Sequence, residues 1–241
     1  MIKLIIFDLD GVIVDTKLLH FRALNLSLKK NKINHQISYQ EHLKIFDGLP
    51  TKEKLKILFK QKKIHNNDFG KISFFKQKIT STLLKKEVKF NQKIFNLFKK
   101  LSKNYKIIIA TNSIKSTLNT CIKNLKIKKF IHYSIATNEL KYTKPHPEIY
   151  LKCLIKFGMM PRETLVIEDS YVGRLAAKES GCNLMPIKTL ADVNYSSILK
   201  YINSLNKEKK NMEKKYWEDK ELNILIPMAG AGSRFEKAGY T

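Results

Sequence analysis

Several short apolar runs in this chain end abruptly in polar side chains, and this pattern constrains the fold more than any other feature. Residues 2–7, 106–112 and 164–170 begin with runs rich in Ile, Leu and Val, which is typical of buried strands. Residues 182–187 form a weaker run of the same kind. Between the later runs, apolar residues recur at the spacing of an α-helix. This alternation predicts an α/β fold with a parallel sheet and helices on both faces.

The stretch between the first two apolar runs contains no strand pattern. Residues 18–28 keep the spacing of an amphipathic helix, and later leucines continue it. We therefore expect a helical cap at residues 16–88, inserted into a core formed by residues 1–15 and 89–204. The predicted fold is a Rossmann-like parallel sheet core with an inserted helical cap domain.

Polar side chains follow the apolar runs where the carboxyl ends of the strands are expected. In open α/β sheets the ligand crevice lies beyond this edge. The residues placed there are Asp8, Asp10, Thr111, Asn112, Glu168 and Asp169. Taken alone, Asp8 and Asp10 also fit another interpretation, in which one acid belongs to a turn and the other caps a helix. Alternate residues of an extended segment share one side, however, and two carboxylates in one small space need a cation or an unusual proton.

Four polar segments together predict phosphoryl transfer through an aspartyl-phosphate. They are DLDGV at residues 8–12, ATNS at residues 110–113, KPHPEIY at residues 144–150 and IEDSYVG at residues 167–173. Asp8 is expected to attack phosphorus, and Asp10 to protonate the leaving oxygen and then deprotonate water. Thr111 and Lys144 are expected to hold the phosphoryl oxygens. Gly11, which has no Cβ, eases the turn after the strand.

The acidic residues at this edge also predict a metal site. A hard cation that prefers oxygen ligands, Mg²⁺, is expected to bind there. The expected ligands are Asp8, the backbone carbonyl of Asp10, Glu168 and Asp169. Such an ion would screen the nucleophile from the phosphate.

These motifs, in this order, resemble the haloacid dehalogenase superfamily, in the branch with a helical cap after the first motif. The resemblance covers about residues 1–204. It implies a hydrolase acting on a phosphate, since Asp10 is a residue that the dehalogenating members are expected to lack. The implied activity is a Mg²⁺-dependent phosphatase for a small phosphorylated metabolite, a sugar phosphate.

A second enzyme activity stays open, because residues 15–24 resemble the first cap helix of β-phosphoglucomutase-like mutases. The expected substrate-binding residues are Gly11, Asn112, His20 and Lys52. His20 fits either a proton-handling role or a hinge histidine, Thr16 fits a helix N-cap, and Lys52 fits either a distal phosphate contact or a solvated lysine. The cap past Arg22 contains no arginine, which favours hydrolysis over a mutase that grips a second phosphate.

The formal net charge of +25 raises a hypothesis of another class, a lysine-rich nucleic-acid-binding protein on an inactive fold. Only four of the basic residues are arginine, the residue that reads base edges and phosphates best, so nucleic acid is not the expected partner. The chain shows neither a secretory signal nor an apolar run long enough to span a membrane. Three widely spaced cysteines predict reduced thiols in a cytoplasm.

The last part of the chain changes character. Residues 205–221 are highly charged and predict a linker or a solvated helix. Residues 222–241 resemble the opening of sugar-phosphate nucleotidyltransferases, with Gly230, Gly232 and Arg234 at the motif positions, although a disordered tail is the alternative. We expect a truncated start of such a domain with no transferase activity, and a covalent fusion if the natural chain continues.

Overall fold

A computed structural model describes residues 1–218 of this chain, with side chains through residue 207. Its centre is one five-stranded sheet in which every strand pair is parallel. The strand order is β3-β2-β1-β4-β5. The strands are β1 (Leu4–Phe7), β2 (Lys106–Thr111), β3 (Tyr133–Ala136), β4 (Thr164–Glu168) and β5 (Asn183–Pro186). The predicted α/β parallel sheet is confirmed.

The central strand β1 brings the polar ends of its neighbours together. Phe7 lies opposite Ile109 of β2 on one side and Ile167 of β4 on the other. All four residues of β1 are buried, because helices cover both faces of a parallel sheet. The carboxyl ends of β1, β2 and β4 therefore meet at one edge, directly before Asp8.

Helices account for most of the remaining described residues. Their bounds are α1 (Lys17–Lys30), α2 (Tyr39–Glu41), α3 (Thr51–Lys60), α4 (Phe69–Glu87), α5 (Gln92–Leu101), α6 (Lys115–Asn124), α7 (Glu148–Phe157), α8 (Tyr171–Glu179) and α9 (Tyr195–Glu218). A π-helical turn, His42–Phe46, continues α2.

The segment between β1 and β2 is a helical insertion with its own apolar cluster. Helix α1 packs along α4, and the buried members of the cluster come from α1, α3, α4 and the loops between them. They are Leu24, Leu28, Ile37, Phe46, Leu55, Leu58, Ile64 and Ile72. The division into core and cap at residues 16–88 stays a prediction.

The chain divides into two units, residues 1–202 and residues 203–241. The described part of the second unit is the end of α9, so residues 205–218 are helical, one of the two alternatives for the charged segment. The nucleotidyltransferase-like residues 222–241, with Gly230, Gly232 and Arg234, lie outside the described residues.

Two further observations bear on the expectations from sequence. Cys121, Cys153 and Cys182 are buried and form no disulfide. Within residues 1–218, none of the helices combines the length and the apolar character that crossing a lipid bilayer requires.

Candidate active site

The buried side chain of Lys144 links the carboxyl ends of β1 and β4. Lys144 Nζ lies 2.6 Å from Asp8 Oδ1 and 2.5 Å from Glu168 Oε1, and it donates to the carbonyl oxygen of Ala110 at 2.9 Å. Burial would lower the pKa of Lys144, but the charges of Asp8 and Glu168 raise it well above its ordinary value. The ammonium is therefore charged and fixed beside Asp8.

Both carboxylate oxygens of Glu168, at the end of β4, accept hydrogen bonds. Tyr150 donates to its Oε1 at 3.1 Å, and both the backbone N–H and the hydroxyl of Ser170 donate to its Oε2 at 3.1 Å. A Cβ on Gly173 would lie only 1.8 Å from Glu168 Oε1. Helix α8 can approach this carboxylate so closely only because a glycine occupies position 173.

Asp169 is linked to the helical insertion by an ion pair. Lys17, the first residue of α1, lies 2.8 Å from Asp169 Oδ2 and 2.9 Å from Asp47 Oδ2. The other carboxylate oxygen, Asp169 Oδ1, is buried and has no hydrogen-bond partner among the described residues. Burial raises the pKa of Asp169, although Lys17 opposes that effect.

Three of the four expected metal ligands form a compact oxygen cluster. One carboxylate oxygen from each of Asp8, Glu168 and Asp169 lies within 4.8 Å of the others. Burial and the charge of Glu168 raise the pKa of Asp8 well above its ordinary value, although Lys144 opposes them. Four carboxylates, counting Asp10, face two ammonium groups here, and Asp169 keeps one buried oxygen without a partner. An oxygen-only donor set with surplus negative charge fits a hard divalent cation.

Asp10 lies at the same edge, but its carboxylate has a different set of partners. The hydroxyl groups of Thr16, Ser113 and Thr111 donate to it, the last two at 2.7 and 3.3 Å. His20 Nε2 lies 3.2 Å from Asp10 Oδ1. Burial would raise the pKa of Asp10, but His20, Thr16 and Ser113 hold it below its ordinary value. The Asp10 carboxylate is therefore ionised in this arrangement.

Gly11 shapes the turn that directly follows Asp10. Its φ of +88° lies in the left-handed region, and a Cβ there would meet Asp169 Oδ2 at 2.1 Å. The turn and the close approach of Asp169 both require glycine. Gly11 was expected to bind substrate, and the structure places it against a site carboxylate.

Asn112 connects three loops through its side chain. Its amide nitrogen donates to the carbonyl oxygens of Gly48 at 2.9 Å and Lys144 at 3.3 Å, and its Oδ1 accepts from the N–H of Lys144 at 3.1 Å. These contacts hold the loop that carries Lys144 against β2 and against the insertion. All of them go to backbone atoms, so Asn112 positions the site.

A cavity of about 670 Å³ lies between the sheet edge and the insertion. Its lining includes the expected residues Asp8, Asp10, His20, Lys52, Thr111, Asn112 and Lys144. Lys52 is exposed at its rim. Glu168 and Asp169 lie behind this lining, in contact with Lys144 and Lys17 respectively.

Two expectations about the first helix can now be tested against contacts. Thr16 occupies the N-cap position of α1, but its hydroxyl makes no capping hydrogen bond and donates to Asp10 instead. The side chain of His20 contacts Asp10, which fits the proton-handling alternative.

Several side chains at this site were missed by the sequence interpretation. They are Lys17, Lys54, Lys76, Ser113 and Tyr150. Lys76 did leave a signal, because Ile72, Lys76, Thr80 and Leu84 recur every four residues along the buried stripe of α4. A lysine within such a stripe is directed toward the interior.

Comparison with known families gives a match over most of the chain. The family model described as haloacid dehalogenase-like hydrolase matches residues 5–187. This range contains all four polar motifs and the helical insertion.

Individual relatives give the same family and fold. A phosphorylated carbohydrates phosphatase from Thermotoga maritima is 31% identical over 182 residues, covering 73% of this chain and 81% of its own. A pyrophosphatase from Anoxybacillus flavithermus is 26% identical, covering 75% and 80%. The crystal structure of a β-phosphoglucomutase from Clostridium difficile superposes with a TM-score of 0.73 at 24% identity, covering 87% of this chain and 99% of the other. That last likeness concerns the fold.

Proposed function

The chain belongs to the haloacid dehalogenase-like hydrolase family, and from this premise we propose that it is a Mg²⁺-dependent phosphatase acting on a small phosphorylated metabolite, a sugar phosphate. One observation carries the proposal. Asp8, paired with Lys144, and Asp10, held by its own set of donors, line the same cavity. A nucleophile and a proton-transfer group are therefore available to one bound ester.

In the first half of the proposed reaction, a carboxylate oxygen of Asp8 attacks phosphorus and the bond to the ester oxygen breaks. The negative charge of the bound ester favours the protonated form of Asp10, the leaving oxygen takes that proton, and an aspartyl-phosphate remains on Asp8. Lys144 and the hydroxyl of Thr111 stabilise the negative charge on the phosphoryl oxygens. His20, whose Nε2 lies 3.2 Å from Asp10, is placed to exchange the proton that Asp10 donates.

In the second half, water attacks phosphorus and Asp10 takes its proton. The bond to Asp8 breaks, free phosphate leaves, and both carboxylates return to their starting state. The hydrogen bonds from Thr16 and Ser113 favour the ionised form of Asp10, which is the form that a base requires.

We assign Asp8, Glu168 and Asp169 as side-chain ligands of Mg²⁺, together with the backbone carbonyl of Asp10. The ion, when bound, offsets the charge of the phosphate and of the attacking carboxylate. Lys144 and Lys17 orient the ligand carboxylates and offset part of their negative charge.

The choice of a phosphatase rests on the proton donor and on the relatives. Asp10 supplies the proton transfer that phosphate esters need. Two of the similar proteins are named for hydrolysis of phosphorylated carbohydrates and of pyrophosphate. Three buried, unpaired cysteines favour a reducing compartment, and we place the reaction in the cytoplasm.

The test is a release assay for inorganic phosphate across a panel of phosphorylated metabolites, with and without Mg²⁺. We expect turnover that depends on the metal and falls by about 10³-fold or more in Asp8→Asn. The matched control is Asp15→Asn, because Asp15 is exposed, lies five residues after Asp10 and does not line the cavity. Undiminished phosphate release by Asp8→Asn contradicts the assigned nucleophile.

The same assay separates hydrolysis from a phosphosugar mutase. Glucose 1-phosphate, supplied with a trace of glucose 1,6-bisphosphate and Mg²⁺, yields free phosphate if water is the acceptor. It yields glucose 6-phosphate if a sugar hydroxyl is the acceptor.

A further inference from the structure

Two lysines of the helical insertion are buried against the active-site cavity. Lys54 on α3 is 5% exposed and Lys76 on α4 is 6% exposed, and both line the cavity. Among the described residues, neither ammonium group has an ion pair or a hydrogen-bond acceptor. Lys144, the third buried lysine among the described residues, has two carboxylate partners.

The surroundings leave this pair of charges uncompensated. Burial and the charge of Lys76 lower the pKa of Lys54 to about 7, and burial lowers the pKa of Lys76 to about 8. The nearby carboxylates are already engaged, Asp47 by Lys17 and Asp10 by its own donors. Buried charges in proteins are normally paired, since an unpaired one is strongly destabilising. A partner from outside the chain would complete this site.

Other polar atoms at the same cavity also lack partners among the described residues. They are Thr80 Oγ1, His20 Nδ1 and His42 Nδ1, all of them buried. Burial and the charge of Lys54 lower the pKa of His42 to about 3, so its ring is neutral and able to donate one hydrogen bond. Thr80 and His42 can each donate a hydrogen bond beside the two ammonium groups, whereas His20 Nδ1 is an acceptor when Nε2 donates to Asp10. The donors together suit an anion with several oxygens.

We propose that Lys54 and Lys76 bind a second anionic group of the substrate, a phosphate or a carboxylate, at the end away from the scissile phosphate. This inference rests on the proposed phosphatase function and narrows its substrate class to doubly anionic metabolites. A cavity of about 670 Å³ is large enough for a small sugar phosphate bound at both ends. Lys144 would bind the reacting phosphate, and Lys54 and Lys76 would bind the second anionic group.

The test uses paired compounds that differ in the second anion. Fructose 1-phosphate is compared with fructose 1,6-bisphosphate, and glycerol 3-phosphate with 3-phosphoglycerate, so that the two pairs distinguish phosphate from carboxylate. The variants are Lys54→Met and Lys76→Met. The matched controls are Lys60→Met and Lys78→Met, exposed lysines on the same two helices that do not line the cavity.

We expect the wild type to prefer the doubly anionic member of at least one pair by about 10- to 100-fold in kcat/KM, the range for hydrogen bonds to a charged group. Lys54→Met and Lys76→Met should each remove most of this preference, and the two controls should keep it. Equal kcat/KM for both members of both pairs, or a preference that survives both cavity variants, overturns the proposal. If either methionine variant fails to fold by circular dichroism, Lys54→Gln or Lys76→Gln replaces it.

A binding measurement separates this inference from the proposed function. Calorimetric titration of Asp8→Asn with each compound reports affinity without turnover. Tighter binding of the doubly anionic member, lost in the Asp8→Asn/Lys54→Met double variant, supports the second-anion site even if the wild type releases no phosphate. Equal affinity for both members of each pair overturns it, whatever the activity.

Discussion

Asp10 accepts hydrogen bonds from three hydroxyl groups on two separate segments, Thr16 before α1 and Thr111 and Ser113 at the end of β2, and a substitution of this one residue tests its role. Asp10→Asn keeps the size of the side chain but removes the group that accepts the proton from water. We expect kcat to fall by about 10²- to 10⁴-fold, the usual contribution of a positioned acid or base. The measurement is phosphate release at saturating substrate.

The control for Asp10→Asn must show that the site stays assembled. We expect Asp10→Asn to bind the doubly anionic compound as the wild type does, because Lys54, Lys76 and Lys144 are unchanged. Asp15→Asn should keep full kcat. A wild-type kcat in Asp10→Asn is the result that excludes Asp10 from proton transfer.

Lys54 gives a prediction about stability and pH. Methionine has a similar length and no charge, so Lys54→Met should raise the free energy of unfolding by about 1–4 kcal/mol near neutral pH. The folded-state pKa of about 7 lies below the ordinary 10.5, so the unfolded state binds more protons between these values. The destabilisation caused by Lys54 is therefore full below about pH 7 and declines as the pH rises toward 10.5.

The measurement is urea unfolding of the wild type and Lys54→Met at several pH values. The difference in unfolding free energy should be largest at about pH 6 and should narrow toward about pH 10. Lys76, Asp47 and Asp10 also act on the pKa of Lys54, and they are common to both proteins. A difference that stays constant with pH contradicts the buried, pKa-shifted state of Lys54.

At the scale of residues, the sequence allowed us to predict which polar side chains lie near one another when they end or follow an apolar strand or open a helix. Asp8, Thr111, Lys144 and Glu168 were predicted to converge, and their side chains now lie at one sheet edge or one cavity. Their catalytic roles stay predictions. Lys54 could not be singled out, because in a chain with 46 basic residues only tertiary packing distinguishes a buried lysine from a solvated one.

At the scale of elements, two helical glycines should respond in opposite ways to the same substitution. In Gly173→Ala the new methyl group would overlap Glu168, so we expect the free energy of unfolding to fall by about 1–3 kcal/mol. In Gly70→Ala nothing lies within 4 Å of the new Cβ, so we expect no loss and a gain of up to about 1 kcal/mol. Urea unfolding at one pH compares the two, and equal effects would show that α8 does not pack closely on Glu168.

The elements themselves were predictable to different degrees. The strands β1, β2 and β4 each contain an uninterrupted apolar run and were recognised, whereas β3 was missed, because Tyr133 and Ser134 interrupt its apolar pattern. The sequence has helical spacing over residues 113–124, but α6 begins at Lys115, and Ser113 before it donates to Asp10.

At the scale of the whole molecule, the net charge of +25 should influence how substrates arrive. A strongly positive protein attracts anions over a distance that salt shortens to about 10 Å at 0.1 M. We expect kcat/KM for a doubly anionic substrate to fall about threefold or more between about 20 and 200 mM NaCl, with kcat nearly constant. Steady-state kinetics at fixed Mg²⁺ measures both, and a salt-independent kcat/KM contradicts this role of the charge.

The same series of salt concentrations, used in a binding assay, tests the nucleic-acid hypothesis. Binding of a DNA or RNA duplex that weakens steeply with salt and survives Asp8→Asn would favour a nucleic-acid-binding protein. The cavity lining, among the residues that the structure describes, includes no arginine, which agrees with a small anionic ligand handled by lysine.

Helix α1 contacts the reacting edge at three points within its first turn and the residue before it. Thr16 and His20 contact Asp10, and Lys17 contacts Asp169. A displacement of this helix would remove these three contacts from both acids at once. In the proposed phosphatase, proton transfer by Asp10 would therefore be efficient only while α1 lies against this edge.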